Sequence, residues 1–137
     1  GLDRMFLAIF SNALCVEQLE DGSERTVLKI PKILAPYQCA ILPLVKKNSL
    51  PDFAKELKNL LKLKFKLTYD EKDAIGRRYR RQDALGTPFC ITVDHQTIKD
   101  KTVTVRDRDS MIQNRIKVDE LEEFLFKSFD ISNWLKQ

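Results

Sequence analysis

Two clusters of charged side chains are the residues of this sequence best suited to chemistry. The first is Gly76-Arg77-Arg78-Tyr79-Arg80-Arg81-Gln82-Asp83. On a helix Arg77 and Arg81 lie four apart on one face, Arg78 sits a little way round, and Tyr79 offers a ring for stacking or for the core. A solvated basic surface is one reading, since charge runs are usually that. Contact with phosphate or RNA is the other. The open glycine followed by arginines favours it, because the positive end of a helix dipole and the guanidinium groups then point at the same anion. The second cluster is Arg106-Asp107-Arg108-Asp109. Ion pairing that shapes a turn and base recognition both fit these residues. A carboxylate accepts from the exocyclic amine of cytosine and repels the carbonyl that uracil carries at the same position, while arginine can meet the cytosine acceptors.

Catalysis has little to stand on in this stretch. Arginines flanking Asp107 and Asp109 hold them ionised, which suits ion pairing better than acid catalysis. His95 is the single histidine, with no cysteine at ligand spacing, so a loop histidine is expected there and no metal site. There is no GxSxG, P-loop or GxGxxG pattern. Cys15, Cys39 and Cys90 are an odd number without a CxxC pair, as expected for reduced thiols of a cytoplasmic protein. No apolar run approaches the roughly 20 residues of a membrane span, so no membrane partner is expected. The 137 residues suffice for one domain of ordinary size, and 43% hydrophobic with 32% charged residues gives one core under a charged surface. Net charge is only +4, yet residues 46–81 hold 12 basic and 5 acidic side chains, which makes the middle of the chain the candidate anion-binding surface.

Several elements must position these clusters. Leu2, Phe6, Ile9, Phe10 and Ala13 follow helical spacing, so a helix is predicted from Leu2 to Leu14. A start at Gly1 inside that pattern is expected of a piece of a longer chain. Asp21-Gly22 marks a turn between residues 16–19 and 26–30, which either pair as a hairpin or leave the first run extending the helix. Gln38 to Leu44 reads as a strand covered on both faces. Ser49 and Asp52 form a capping-box-like start to a helix presenting Leu50, Phe53, Ala54, Leu57, Leu60 and Leu61. Phe65, Leu67 and Tyr69 alternate as a strand, a helix spans Ile75 to Leu85 with Gly86 as its stop, and Phe89 to Val93 is another strand. Strand, helix, strand, helix, strand argues for parallel pairing. Thr102–Val105 and Ile112–Val118 then read as an antiparallel hairpin, with Thr102, Thr104 and Arg106 in a polar row beside Gln113, Arg115 and Lys117. Asp119 with Glu122 is expected to cap a last helix, and Ile131, Trp134 and Leu135 to pin the tail.

The stretches LAPYQCAILPL (34–44), YDEKDAIGRRYRRQDALGTPFCITVD (69–94) and KTVTVRDRDSM (101–111) closely resemble the C-terminal anticodon-binding domain of the homodimeric, class II glycyl-tRNA synthetases. A looser form of the glycine, basic pair and Asp-x-x-Gly-x-Pro pattern also occurs in histidyl-, prolyl- and threonyl-tRNA synthetases. The resemblance implies an α/β fold, a mixed five-stranded sheet flanked by about three helices, over residues 34–137. It implies that 1–33 are a remnant of the catalytic domain with its connector, since Gly1-Leu2-Asp3-Arg4 is similar to the end of motif 3, whose arginine contacts ATP. Arg4 is the implied ATP contact of the parent enzyme, which activates glycine with ATP and Mg2+ as a homodimer. With motifs 1 and 2 absent, the fragment is expected to be an inactive monomer without a cofactor. Its implied partners are the anticodon loop of tRNA(Gly) and its own catalytic domain. The candidate RNA contacts are Arg77, Arg78, Arg81, Arg106, Asp107, Arg108, Asp109 and Arg115. The alternative class is a non-catalytic accessory subunit or stand-alone RNA-binding module of the same fold.

Overall fold

Residues 13–130 are described by a computed structural model, and the chain enters it as a β-hairpin. Strand β1 (Leu14–Gln18) pairs antiparallel with β2 (Glu24–Leu28), placing Glu17 opposite Arg25 and Cys15 opposite Val27. Turn chemistry selects the hairpin over an extended helix. Gly22 adopts φ +85°, which costs a glycine nothing, and the Asp21 carboxylate accepts from the Ser23 amide at 2.9 Å. The predicted helix from Leu2 lies outside the described residues except at its end, where Leu14 opens β1. Arg4, Ile131, Trp134 and Leu135 also lie outside them.

After a 3-10 turn at Lys32–Leu34, the elements follow as β3 (Cys39–Pro43), α1 (Leu50–Leu61), β4 (Leu67–Tyr69), α2 (Ile75–Leu85), β5 (Phe89–Val93), α3 (His95–Asp100), β6 (Thr102–Asp107), β7 (Gln113–Lys117) and α4 (Val118–Ser128). The sheet order is β4-β3-β5-β6-β7. The first three strands are parallel, β6 pairs antiparallel with β5 and β7 antiparallel with β6, and β4 and β7 form the margins of a mixed five-stranded sheet.

Both faces of the sheet are covered, which is why β3 and β5 are wholly buried and apolar but for Thr92. On one face Ile41, Ile91, Val93, Val103 and Val105 meet Leu50, Ala54, Leu57 and Leu61 of α1 and Leu121 and Leu125 of α4. Truncating one of these leucines to alanine costs about 2–5 kcal/mol, transfer and cavity together. On the other face Ala40, Leu42 and Cys90 carry Ile75 and Tyr79 of α2. The small side chains there let the helix approach closely. Cys39 and Cys90 are buried free thiols, and burial pushes Cys90 up to about 12.

Three local expectations are corrected. Ser49 precedes α1 with φ +65° and its side chain makes no capping bond; Asp52 sits in the first turn without closing a box. Helix α4 begins at Val118 behind Lys117, so Asp119 lies inside its first turn, where it favours the positive end of the helix dipole. His95 is in a helix where a loop is expected. A capping box builds α3: the Thr97 amide donates to Asp94 Oδ1 at 3.1 Å and the Asp94 amide to Thr97 Oγ1 at 3.1 Å. Threonine at the third helical position replaces the usual Glu or Gln of that motif.

Candidate nucleic-acid interface

Helix α2 starts without a side-chain cap, behind Ala74, and a Cβ built at Gly76 would meet nothing within 4 Å. Gly76 and Arg77 are exposed at this uncapped start, and a helix start whose amides lack a cap attracts anions. Arg77 projects from this end, exposed, with no hydrogen bond or ion pair among the described residues; it reaches Asp73 only through space. Arg81, one turn on, is exposed too but held: its Nε donates to Asp70 Oδ2 at 3.1 Å, Nη1 to Asp73 Oδ2 at 2.8 Å and Nη2 to the Lys72 carbonyl at 2.8 Å. These bonds, with Arg81 the main cause, hold the Asp73 carboxyl below its usual range. Arg78 points inward. It is 2% exposed and donates to the carbonyls of Pro43, of Leu44 at 2.9 Å and of Asp70 at 3.1 Å, tying α2 to the ends of β3 and β4.

The other face of α2 joins the first cluster to the second. Asp83 is fully buried and accepts from Arg106 Nη1 at 2.8 Å and Nη2 at 3.2 Å, and from Arg25 Nη1 at 3.2 Å. The Arg106 guanidinium also lies 4.8 Å from the centroid of the Tyr79 ring, whose hydroxyl bonds Thr92 Oγ1 at 2.8 Å. Tyr79 is thus a packing residue with a cation on its face. Arg106 is buried among these partners, although β6 register does put it in the predicted polar row, opposite Gln113.

Beyond Arg106 the chain turns. Asp107 Oδ2 accepts from the amides of Asp109 at 3.1 Å and Ser110 at 2.9 Å and from Ser110 Oγ at 3.0 Å, while Oδ1 takes Lys32 Nζ at 3.2 Å. Burial alone would raise this carboxyl; the Ser110 amide and the Lys32 ammonium outweigh it and keep Asp107 below the ordinary range. Arg108 is 2% exposed, donating to the carbonyls of Gly86 and Ile30, each at 2.8 Å. Its Nε meets Asp109 Oδ1 at 2.9 Å. Asp109 keeps 40% of its side chain exposed, with acceptor capacity left over. Arg115 sits on the half-open end of the sheet, ion-paired with Asp94 and 3.0 Å from Thr102 Oγ1. Burial alone would raise Asp94; the Arg115 bond and the Thr97 amide hold it lowered.

The candidate residues therefore divide. Arg77, Arg81, Asp107, Asp109 and Arg115 reach the surface, whereas Arg78, Arg106 and Arg108 are buried and engaged with protein. Sequence reasoning missed Arg25 and Asp83, which fasten the two clusters together. One signal for Arg25 was available: in β2 it shares the inward side with Val27, so alternation turned a charge into the interior.

The sheet order and the helices that cover it define a known domain class. The chain belongs to the anticodon binding domain family, which it matches over residues 38–128. Among individual proteins it is 50% identical over 125 residues to the glycine–tRNA ligase of Clostridium tetani, covering 91% of this chain and 27% of that protein. It is 52% identical over 133 residues to the glycine–tRNA ligase of Mycoplasma mycoides, covering 95% and 28%. The chain thus spans little more than a quarter of these relatives. Its fold matches the RNA binding domain of a threonyl-tRNA synthetase from Cryptosporidium parvum with a TM-score of 0.66 at 23% identity, over 73% of this chain and 25% of that one.

Proposed function

We propose that this chain is the anticodon-reading part of a glycine–tRNA ligase, the larger protein activating glycine with ATP and Mg2+ and joining it to tRNA(Gly). One observation carries the reading. The two charged clusters, 76–83 and 106–109, lie apart in sequence and are joined in the fold by the buried Asp83–Arg106 ion pair, which holds helix and turn side by side. From Arg77 to Asp83 along α2 is about 9 Å of helix rise, so a phosphate at the open helix start and a base at the 107–110 turn lie within reach of one loop. Arg77 and Arg81 then contact phosphate, Asp107 and Asp109 with Arg115 face the bases, and Arg78, Arg106 and Arg108 hold the surface in shape. Residues 34–137 form the RNA-binding domain and 1–33 belong to the catalytic part and its connector, with Arg4 on the ATP side. The longer protein is a cytoplasmic homodimer that pairs through its catalytic domains; this chain alone is an inactive monomer.

The experiment is a titration of the chain with anticodon stem-loops carrying CC or UU at the last two anticodon positions. Preference for CC by about 1–3 kcal/mol supports the reading. Equal binding of both loops, or none at low salt, overturns it.

A further inference from the structure

Arg25 is the one described residue whose side chain joins the first hairpin to both clusters at once. Its side chain is wholly buried, and each nitrogen is committed. Nε donates to Glu17 Oε2 on β1 at 2.8 Å; Nη1 donates to Asp83 Oδ2 on α2 at 3.2 Å and to the Arg108 carbonyl at 2.8 Å; Nη2 donates to the Asp109 carbonyl at 3.2 Å. No other described donor meets those two turn carbonyls. A hairpin that only needed to cover α2 could do so with Val27, Leu28 and Ile30, which are already buried. Burying a guanidinium instead is expensive, and a buried ion pair is poor evidence for stability alone. What the planar fork supplies is direction: three fixed vectors toward a strand, a helix and the backbone of a turn.

We propose that Arg25 is a positioning residue for base reading, locking the backbone of the 107–110 turn to the β1–β2 hairpin and so holding the turn in the geometry that a base meets. This rests on the reading that the turn meets the anticodon. Arg25 touches no RNA itself. It acts through the carbonyls of Arg108 and Asp109, the latter belonging to a residue with a partly exposed carboxylate.

Arg25→Lys tests the idea in the whole chain, since it keeps a cation beside Glu17 and Asp83 but cannot span both carbonyls. The ratio of affinities for CC and UU stem-loops should fall about five- to tenfold, in the lower part of the range for coupled sites. Binding to the UU loop and the slope of affinity against salt should stay as in the parent chain, because no phosphate contact is removed. A folded Arg25→Lys chain with an undiminished ratio overturns the positioning role while leaving anticodon reading intact. A parent chain without any CC preference brings down anticodon reading and the positioning role with it. Should the variant not fold, the Arg25 Nε–H resonance of the parent chain decides. It should shift on adding the CC loop and not on adding heparin; an unmoved resonance at saturating CC loop overturns the proposal.

Discussion

At the scale of single residues, exposure separates arginines that look alike in sequence. Arg77 is free to meet a phosphate, so Arg77→Ala should weaken binding to every stem-loop about equally and flatten the salt dependence by about 0.7–0.9 in log–log slope. Melting temperature should not move. Arg78→Ala, one residue along, should do the reverse: three backbone carbonyls lose a donor, and denaturant unfolding should show a loss of at least about 2 kcal/mol. For the carboxylates, Asp109→Asn is expected to cut CC-over-UU preference at a modest cost in stability, since the amide oxygen can still accept from the buried Arg108. Asp107→Asn should cost stability as well, because Oδ2 organises two turn amides and Oδ1 holds Lys32. Equal discrimination in both variants would move base reading away from this turn.

Among the elements, those closed by local chemistry were legible and those set by distant partners were not. Gly86 at φ +81° and Pro88 beyond it end α2 where the sequence places them, and β5 needs only its short run of buried residues, four of the five apolar. The row of Thr102, Thr104 and Arg106 opposite Lys117, Arg115 and Gln113 follows from alternation alone. Alternation could not reveal that α2 would cover the Arg106 end of that row. Asp83 similarly reads as one more helix-surface acid, because its partners Arg106 and Arg25 lie 23 and 58 residues away. Helix α3 escaped notice for a smaller reason, the threonine closing its capping box. The Asp83 junction gives the sharpest element-level test. Asp83→Ala leaves the buried Arg106 without its carboxylate and Arg25 with Glu17 alone, and should destabilise the fold by about 3–5 kcal/mol, read by denaturant unfolding. Loss of under 1 kcal/mol would mean that water reaches the junction.

Over the whole molecule, carboxylates held in their charged form set the response to acid. Lys29 and Arg25 keep Glu17 low, Arg115 and the Thr97 amide keep Asp94 low, and Asp107 is lowered in its turn. Each folded-state pKa lies below the unfolded value of roughly 4, so on acidification the unfolded chain takes up these protons first. Melting temperature should stay level from neutral pH to about 5 and fall steadily below about 4. A rise on acidification would contradict these ion pairs. Shortening the chain to begin at Leu34 should also lower its melting temperature, since Asp83, Arg108 and the 107–110 turn all bond to residues before it. The margins of the sheet have a consequence of another kind. β4 is three residues long, and β7 exposes Gln113, Asn114, Arg115 and Lys117. One edge is too short to template a neighbouring strand, and the other would bring like cations face to face. Fibres built by strand addition at the margins of this five-stranded sheet should therefore not form, even in concentrated solution, because it offers a second copy nowhere to add on.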